Sequence, residues 1–418
     1  MIWNYQSLGK ILAPSGRVRA GNEEYPVLSI TMQHGLIDQS EKFKKRVDSR
    51  NIQKYKVVYR NELVVGFPID EGVLGFQTQY PAAIVSPAYD VWKLKADIEG
   101  HIPYLEKYLR SPHARALYAS KMQGAVARRR SLKKDDFLAL KIHFPQFSDQ
   151  IRIATLLKNV ESLIAKRKKS IEDLDKLLKS TFQEMFGDPV KNKMGWDKKP
   201  LNEFIVSCRN GLSPSKSGTV KGKVFILSAI TGKSFREIYK EAFFNNVLEK
   251  YFPKKNDFLV CRGNGNINLV GRGFFFNGES SDILFPDTII SLTIDIEKIE
   301  KSYLEQIWQN HLLRSQIESN ARTTNGTYKI NQSVINKIML VCPPLKLQNQ
   351  FAKIVEKVKS IKERYHNSLA DLESLYGTFS QKAFKGELDL SRVPLEKEAE
   401  AQQETIEPQI QETVKEPQ

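Results

Sequence analysis

Between residues 150 and 187 the apolar positions follow a helical period. Ile153, Val160, Arg167 and Leu174 stand seven apart, Leu156, Leu163 and Leu177 follow three residues behind, and Leu157, Ile164, Ile171 and Leu178 widen the stripe. Such a pattern predicts one long amphipathic helix whose apolar face requires a second helix to cover it. Gly187 and Pro189 supply its stop. A second helix is expected over 348–387, with Phe351, Val358, Tyr365, Leu372 and Phe379 at one heptad position and Ile354, Ile361 and Leu375 at the other. Its tyrosine and phenylalanine residues are read as packing groups.

The two helices belong to a longer internal correspondence. At a constant offset of 198, Leu132 aligns with Ile330, Phe137 with Ile335, Leu140 with Ile338, Pro145 with Pro343, Gln150 with Gln348, Leu163 with Ile361 and Phe186 with Phe384. Phase-matched heptads would align by themselves, but the proline, the glutamine and the alternating segment ahead of them obey the same offset. Upstream the offset drifts, as loop insertions would make it: Trp3 and Leu8 match Trp196 and Leu201, and Tyr104, Leu105 and Glu106 match Tyr303, Leu304 and Glu305. The chain therefore reads as one unit written twice, a variable block followed by a helix.

Within the first block, 1–149, the segments 25–31, 55–65 and 82–86 are β-branched or alternating and lie between Gly and Pro, which predicts strands and turns. Helices are expected from Ile102 to about Ala119, interrupted near Pro112. In the second block, 188–347, the stretches 224–231, 257–261, 273–276 and 282–285 predict strands and 303–319 a helix. The tail, 388–418, turns to Glu, Gln and Pro and is expected to be disordered. The expected class is α+β: two pseudo-repeated mixed α/β domains and two long helices.

A length of 418 residues at 41% hydrophobic is enough for two cores. The net charge of +16 points to a polyanionic partner, with nucleic acid first. No apolar run is long enough for a membrane span and no leader pattern opens the chain, so a membrane partner is not expected. Cys208, Cys261 and Cys342 are too scattered for a disulfide framework or a zinc site, which suits the cytoplasm.

Charge is concentrated in loops. Arg128, Arg129 and Arg130 crowd beside a glycine; the bland reading is a solvated face, and the functional one is guanidinium forks brought to phosphates or guanine edges. The stretch 262–273, RGNGNINLVGRG, lacks the spacing of a phosphate-binding loop and is better read as a turn that presents Arg262 and Arg272. The loop 323–330, TTNGTYKI, stands where the arginine cluster stands in the first block.

Catalytic signatures are missing. The chain has no Asn-Pro-Pro-Tyr or Asp-Pro-Pro-Tyr tetrad, no glycine-rich turn suited to a methyl-donor cofactor, no HExxH and no Glu-x-Lys. No cofactor, metal or catalytic residue is expected.

The aromatic-to-leucine openings (Trp3 to Leu8, Trp196 to Leu201), the strand-Pro-x4-Gln lead into each helix, FQEMFGDP at 182–189, PPLKLQNQFAKIV at 343–355 and AFKGEL at 383–388 together resemble the specificity subunit of type I restriction-modification systems. That resemblance covers nearly all of residues 1–388. It implies two target-recognition domains, 1–149 and 188–347, each reading half of a split, asymmetric site on double-stranded DNA. It implies that helices 150–187 and 348–387 pair as an antiparallel intramolecular coiled coil, and that the chain docks two methyltransferase subunits, with restriction and translocase subunits joining them. A helix of about 35 residues is roughly 50 Å long, enough to space two contact patches by the ~34 Å of one DNA turn.

The expected DNA-binding residues, chosen by charge in loops, are Lys44, Lys45, Arg46, Arg128, Arg129 and Arg130 in the first domain and Arg262, Asn264, Asn266, Arg272, Thr327 and Lys329 in the second. The competing readings are a specificity component of another modification or phage-defence assembly, and a coiled-coil scaffold whose basic surface only adds solubility.

Overall fold

The computed structural model describes residues 5–42, 52–122, 132–232, 234–276, 278, 280–324, 326–391 and 393. The chain divides into two units, residues 1–168 with 368–418, and residues 169–367. Trp3, Lys44, Lys45, Arg46, Arg128, Arg129 and Arg130 lie outside the described residues.

In the first unit an antiparallel sheet runs in the order Leu12–Pro14, Asp90–Leu94, Leu63–Val65, Leu74–Phe76. Helices Ile102–Arg110 and Pro112–Lys121 bury Tyr104, Leu105, Tyr108 and Leu109 in one cluster with the sheet residues Leu63, Leu74, Phe76 and Trp92. The spacing of those four helical residues is that of a single helix face. Pro112 starts the second helix, and Ser111 caps it by accepting the N–H of Ala114 at 3.2 Å. The expected strand over 55–65 is two strands, Lys56–Tyr59 and Leu63–Val65, because Asn61 turns the chain with φ at 67°. The alternating segment before the first long helix is part helix, Lys134–Ala139, and part strand, Lys141–His143.

The second unit repeats this order of pairing: Ile205–Asn210, Ile289–Ile294, Asp257–Cys261, Gly273–Phe275, again antiparallel throughout. The strand expected over 224–231 is Val220–Phe225, paired with Tyr239–Phe244, and it gives way to a 3-10 turn at Leu227–Ala229. The single helix expected over 303–319 is two, Lys301–Trp308 and His311–Asn320; Asn310 caps the second, its Oδ1 accepting the N–H of Leu312 at 3.0 Å. No proline or glycine marks that break.

The long helices run Phe147–Phe186 and Leu345–Lys385, 40 and 41 residues. Gly187 and Gly386, both with φ of 75°, follow their ends in the left-handed region that favours glycine. In the first unit Tyr376 donates to Glu161 at 2.7 Å and Lys168 pairs with Glu373 at 2.9 Å. In the second, Lys362 bonds Asp175, and Phe182 stands edge-on to Phe351 with ring centres 5.5 Å apart. In each unit the numbers rise on one helix as they fall on the other, so the paired segments are antiparallel.

Their buried stripe differs from the expected one. From Ile153 the stripe takes its next step over four residues, to Leu157, not over three. Leu157 is fully buried, whereas Leu163, Leu177 and Leu375 are 49%, 48% and 39% exposed. A 3.5-residue repeat alternates steps of three and four, and its first step cannot be chosen without knowing which flank the partner covers.

The starts of the two long helices are held alike. Gln150 donates Nε2 to the carbonyl of Pro145 at 2.9 Å and accepts the N–H of His101 at 2.9 Å. Gln348 donates to the carbonyl of Pro343 at 2.8 Å and accepts the N–H of Glu300 at 3.0 Å. Tyr104 and Tyr303 each donate their hydroxyl to a carbonyl of the short strand ahead of the helix, at His143 and Val341. Within the expected tail, Leu390 is buried in the first unit's core, with Leu388 and Val393 packed against that core.

Candidate nucleic-acid interface

In the second unit the chain leaves helix His311–Asn320 and forms a hairpin, Arg322–Thr324 paired with Thr327–Lys329, which a two-residue strand, Gly263–Asn264, extends to three. The expected loop at 323–330 is this hairpin; Gly326 takes φ of 72° at its turn, where a tight reversal demands a left-handed residue. Asn331 then caps the short helix Gln332–Asn336, its Oδ1 accepting the N–H of Val334 at 2.9 Å.

These elements enclose a cleft of about 390 Å³ lined by Arg262, Arg322, Lys329 and Lys337 and by the amides of Gln316, Asn320 and Asn331. Among the described residues no carboxylate lines it. Arg322 and Lys329 face each other directly across the hairpin ladder, a like-charged pair that weakens a sheet unless an anion lies between the two. Arg262 lies between the strands Asp257–Cys261 and Gly263–Asn264 and donates Nη1 to the carbonyl of Asp287 at 3.2 Å. Gln316 fixes the wall, donating to the carbonyl of Met339 at 3.0 Å and accepting its N–H at 2.8 Å. Four cations lining one cleft attract phosphate, while the amides beside them shape its wall: Gln316 holds Met339, Asn331 caps the helix at Val334 and Asn320 donates Nδ2 to the carbonyl of Gln316 at 2.8 Å.

Of the six residues expected in the second domain, Arg262 and Lys329 line this cleft, and Thr327 and Asn264 sit in the three strands around it. The other two are occupied elsewhere. Arg272 donates to the carbonyls of Thr231 and Gly232 at 2.8 and 3.3 Å, holding that loop. Asn266 caps a 3-10 turn, accepting the N–H of Asn268 at 3.0 Å, so the 262–273 stretch is built as turns. Arg322, Lys337, Gln316, Asn320 and Asn331 escaped sequence reasoning because they are spread over a helix end, a strand and a second helix. The Asn-Gly pair at 325–326 was the available cue, since it signals a hairpin that brings Arg322 back beside Lys329.

Cys261 is buried in a core cluster with Phe225, Leu259 and Ile289, and burial pushes its thiol up to about 11; Cys208 and Cys342 are raised to about 11 by the same cause. A thiol so raised stays protonated at neutral pH. Among the described residues no cluster of His, Cys, Asp and Glu is placed to hold a metal ion, and no helix is long and apolar enough to cross a membrane.

No family model matches the chain. The type I restriction enzyme StySPI specificity subunit of Salmonella potsdam is 26% identical over 304 residues, 68% of this chain and 65% of that protein. The type I restriction enzyme EcoKI specificity subunit of Escherichia coli K12 is 25% identical over 295 residues, 65% of this chain and 63% of that protein. The match thus spans just under two thirds of these relatives' length. In fold, the chain is similar to one solved in work on complex assembly and conformational transition of the type I R-M system, with TM-score 0.62, 16% identity and coverage of 92% of this chain and 98% of that one. It is also similar to the S subunit of the type I restriction-modification system from M. genitalium, with TM-score 0.51, 13% identity and coverage of 91% and 96%. In sequence the chain resembles the specificity subunits of type I restriction enzymes, and in fold the subunits solved from type I restriction-modification systems.

Proposed function

We propose that this chain is the DNA-specificity subunit of a type I restriction-modification complex in the cytoplasm. It reads a bipartite, asymmetric site on double-stranded DNA, one half with each of two target-recognition domains, 1–149 and 188–347. The long helices act as an antiparallel intramolecular coiled coil that carries the two domains of a duplicated chain and docks two methyltransferase subunits, which restriction and translocase subunits join. The chain performs no catalysis of its own; its partners do the chemistry.

The observation that carries this reading is the directly opposed pair Arg322 and Lys329 over a cleft of cations without carboxylates. A scaffold has no use for such a pair, which costs stability wherever no anion is bound. The sequence likeness to specificity subunits supports the family. The duplication is supported by the matching glutamine bonds and by the shared strand order of the two units. Because the two domains share a frame but differ in sequence, they suit two different half-sites, and an identical pair would suit a palindrome.

Selection by the full chain from a pool of randomised duplexes tests the proposal. Enrichment of two short, unlike blocks separated by a gap of fixed length is the expected result. A single contiguous block, or no enrichment, overturns it in favour of a scaffold or another assembly's component.

A further inference from the structure

The two four-stranded sheets correspond residue by residue through their pairing. Leu63 lies opposite Trp92 and Phe76, and Phe258 lies opposite Leu292 and Phe275. Two positions on, Val65 lies opposite Asp90 and Leu74, and Val260 opposite Ile290 and Gly273. The next N–H, of Gly66 or Cys261, then bonds the carbonyl of Val73 or Arg272 at 2.8 and 2.7 Å. One residue further, the chain presents Phe67 in the first unit where it presents Arg262 in the second.

Arg262 lines the basic cleft. Around Phe67 stand Leu132, Lys134 and Phe137, which precede Ile330 of the cleft wall and Gln332 and Ile335 of the short helix beside it by the same 198 positions that relate the two halves of the chain. The same place in the first unit is nearly closed, with about 30 Å³ of free volume, room for one water. Its chemistry is aromatic. Phe67 is 61% exposed, the most exposed phenylalanine among the described residues, and its ring stands 6.5 Å from that of Tyr89. Behind it Trp92 is buried with its indole N–H unpartnered among the described residues. The neighbouring charges are Lys134 and Asp90, paired at 2.7 Å, and they border the small apolar pocket that Val65, Ile69, Trp92 and Phe137 form beside the ring.

We propose that Phe67 is a base-reading residue of the first unit, offering an apolar ring to a base edge in the groove at the position where the second unit offers a guanidinium. The proposal rests on the DNA-reading function above. Apolar contact selects for the thymine methyl, whereas a guanidinium selects for guanine, so one change at one strand end gives the two halves different preferences without altering the fold.

The test is selection from randomised duplexes by the full-length wild type and by Phe67→Ala, Phe67→Leu and Phe67→Arg, with each unfolding midpoint measured alongside. Because the ring is exposed, the midpoints stay at the wild-type value. Phe67→Ala is expected to lose about tenfold in preference at one or two adjacent positions of one block, leaving the other block unchanged. Phe67→Leu retains the preference, and Phe67→Arg shifts it toward guanine at the same positions. A Phe67→Ala profile identical to wild type, or a loss spread evenly over both blocks, overturns the proposal. If wild type enriches nothing, the DNA-reading function itself falls and takes this assignment with it.

Discussion

Arg322 and Lys329 stand directly opposite one another on the second unit's hairpin, and each also lines the basic cleft. A bound anion relieves their mutual repulsion, so stability and binding oppose each other at this pair. Lys329→Thr is expected to raise the stability of the free protein by about 0.2–1 kcal/mol and to weaken binding to random duplexes. Unfolding with and without DNA checks both halves of that expectation; a variant that is less stable and binds unchanged contradicts it.

Arg322→Ala and Lys337→Ala each remove one cation from the cleft, and each should lower the slope of log affinity against log salt by about one. Arg272→Ala should leave the slope unchanged, since that guanidinium is spent on the carbonyls of Thr231 and Gly232. Binding titrations across a range of salt separate the first two variants from the third.

The two glutamines at the helix starts are buried, and each satisfies one carbonyl and one N–H. Gln150→Leu and Gln348→Leu leave both groups unpaired, at a cost of about 1–3 kcal/mol for each group. Denaturant unfolding is the check, with the exposed Gln183 replaced as a control within about 0.5 kcal/mol of wild type.

The helix seam makes a sharper contrast. Leu157→Ala should cost about 2–5 kcal/mol through the cavity it leaves, while Leu163→Ala, half exposed, should stay within about 0.5 kcal/mol. Equal losses at the two positions would restore the three-residue step that the sequence first suggests.

That contrast shows what a sequence can and cannot carry. The long helices were legible to within three residues at their starts because a period near 3.5 sustained over ten turns has few alternatives, and the Pro145–Gln150 and Pro343–Gln348 spacings prove to be hydrogen-bonded contacts. The phase of the seam was not legible, since both flanks carry leucine and only the partner helix decides between them. The break at Asn310 was missed because its cap is a side-chain hydrogen bond and not a backbone breaker. Of the expected second-domain residues, Arg262 and Lys329 come together at the cleft because both stand where strands end or turn, which charge in loops points to. Arg272 misled because a guanidinium bound to local carbonyls looks the same in sequence as one held free for a ligand. Phe67 was passed over because its meaning lies in its equivalence to Arg262, which only the strand register reveals.

The most direct measurement is a map of methylated adenines in the genome of cells that carry this gene and of cells from which it is deleted. The expected result is one asymmetric context, two short blocks with a fixed unread gap, methylated only when the gene is present. Methylation unchanged by the deletion, or a context that is contiguous or palindromic, contradicts a chain that chooses DNA with two unlike heads.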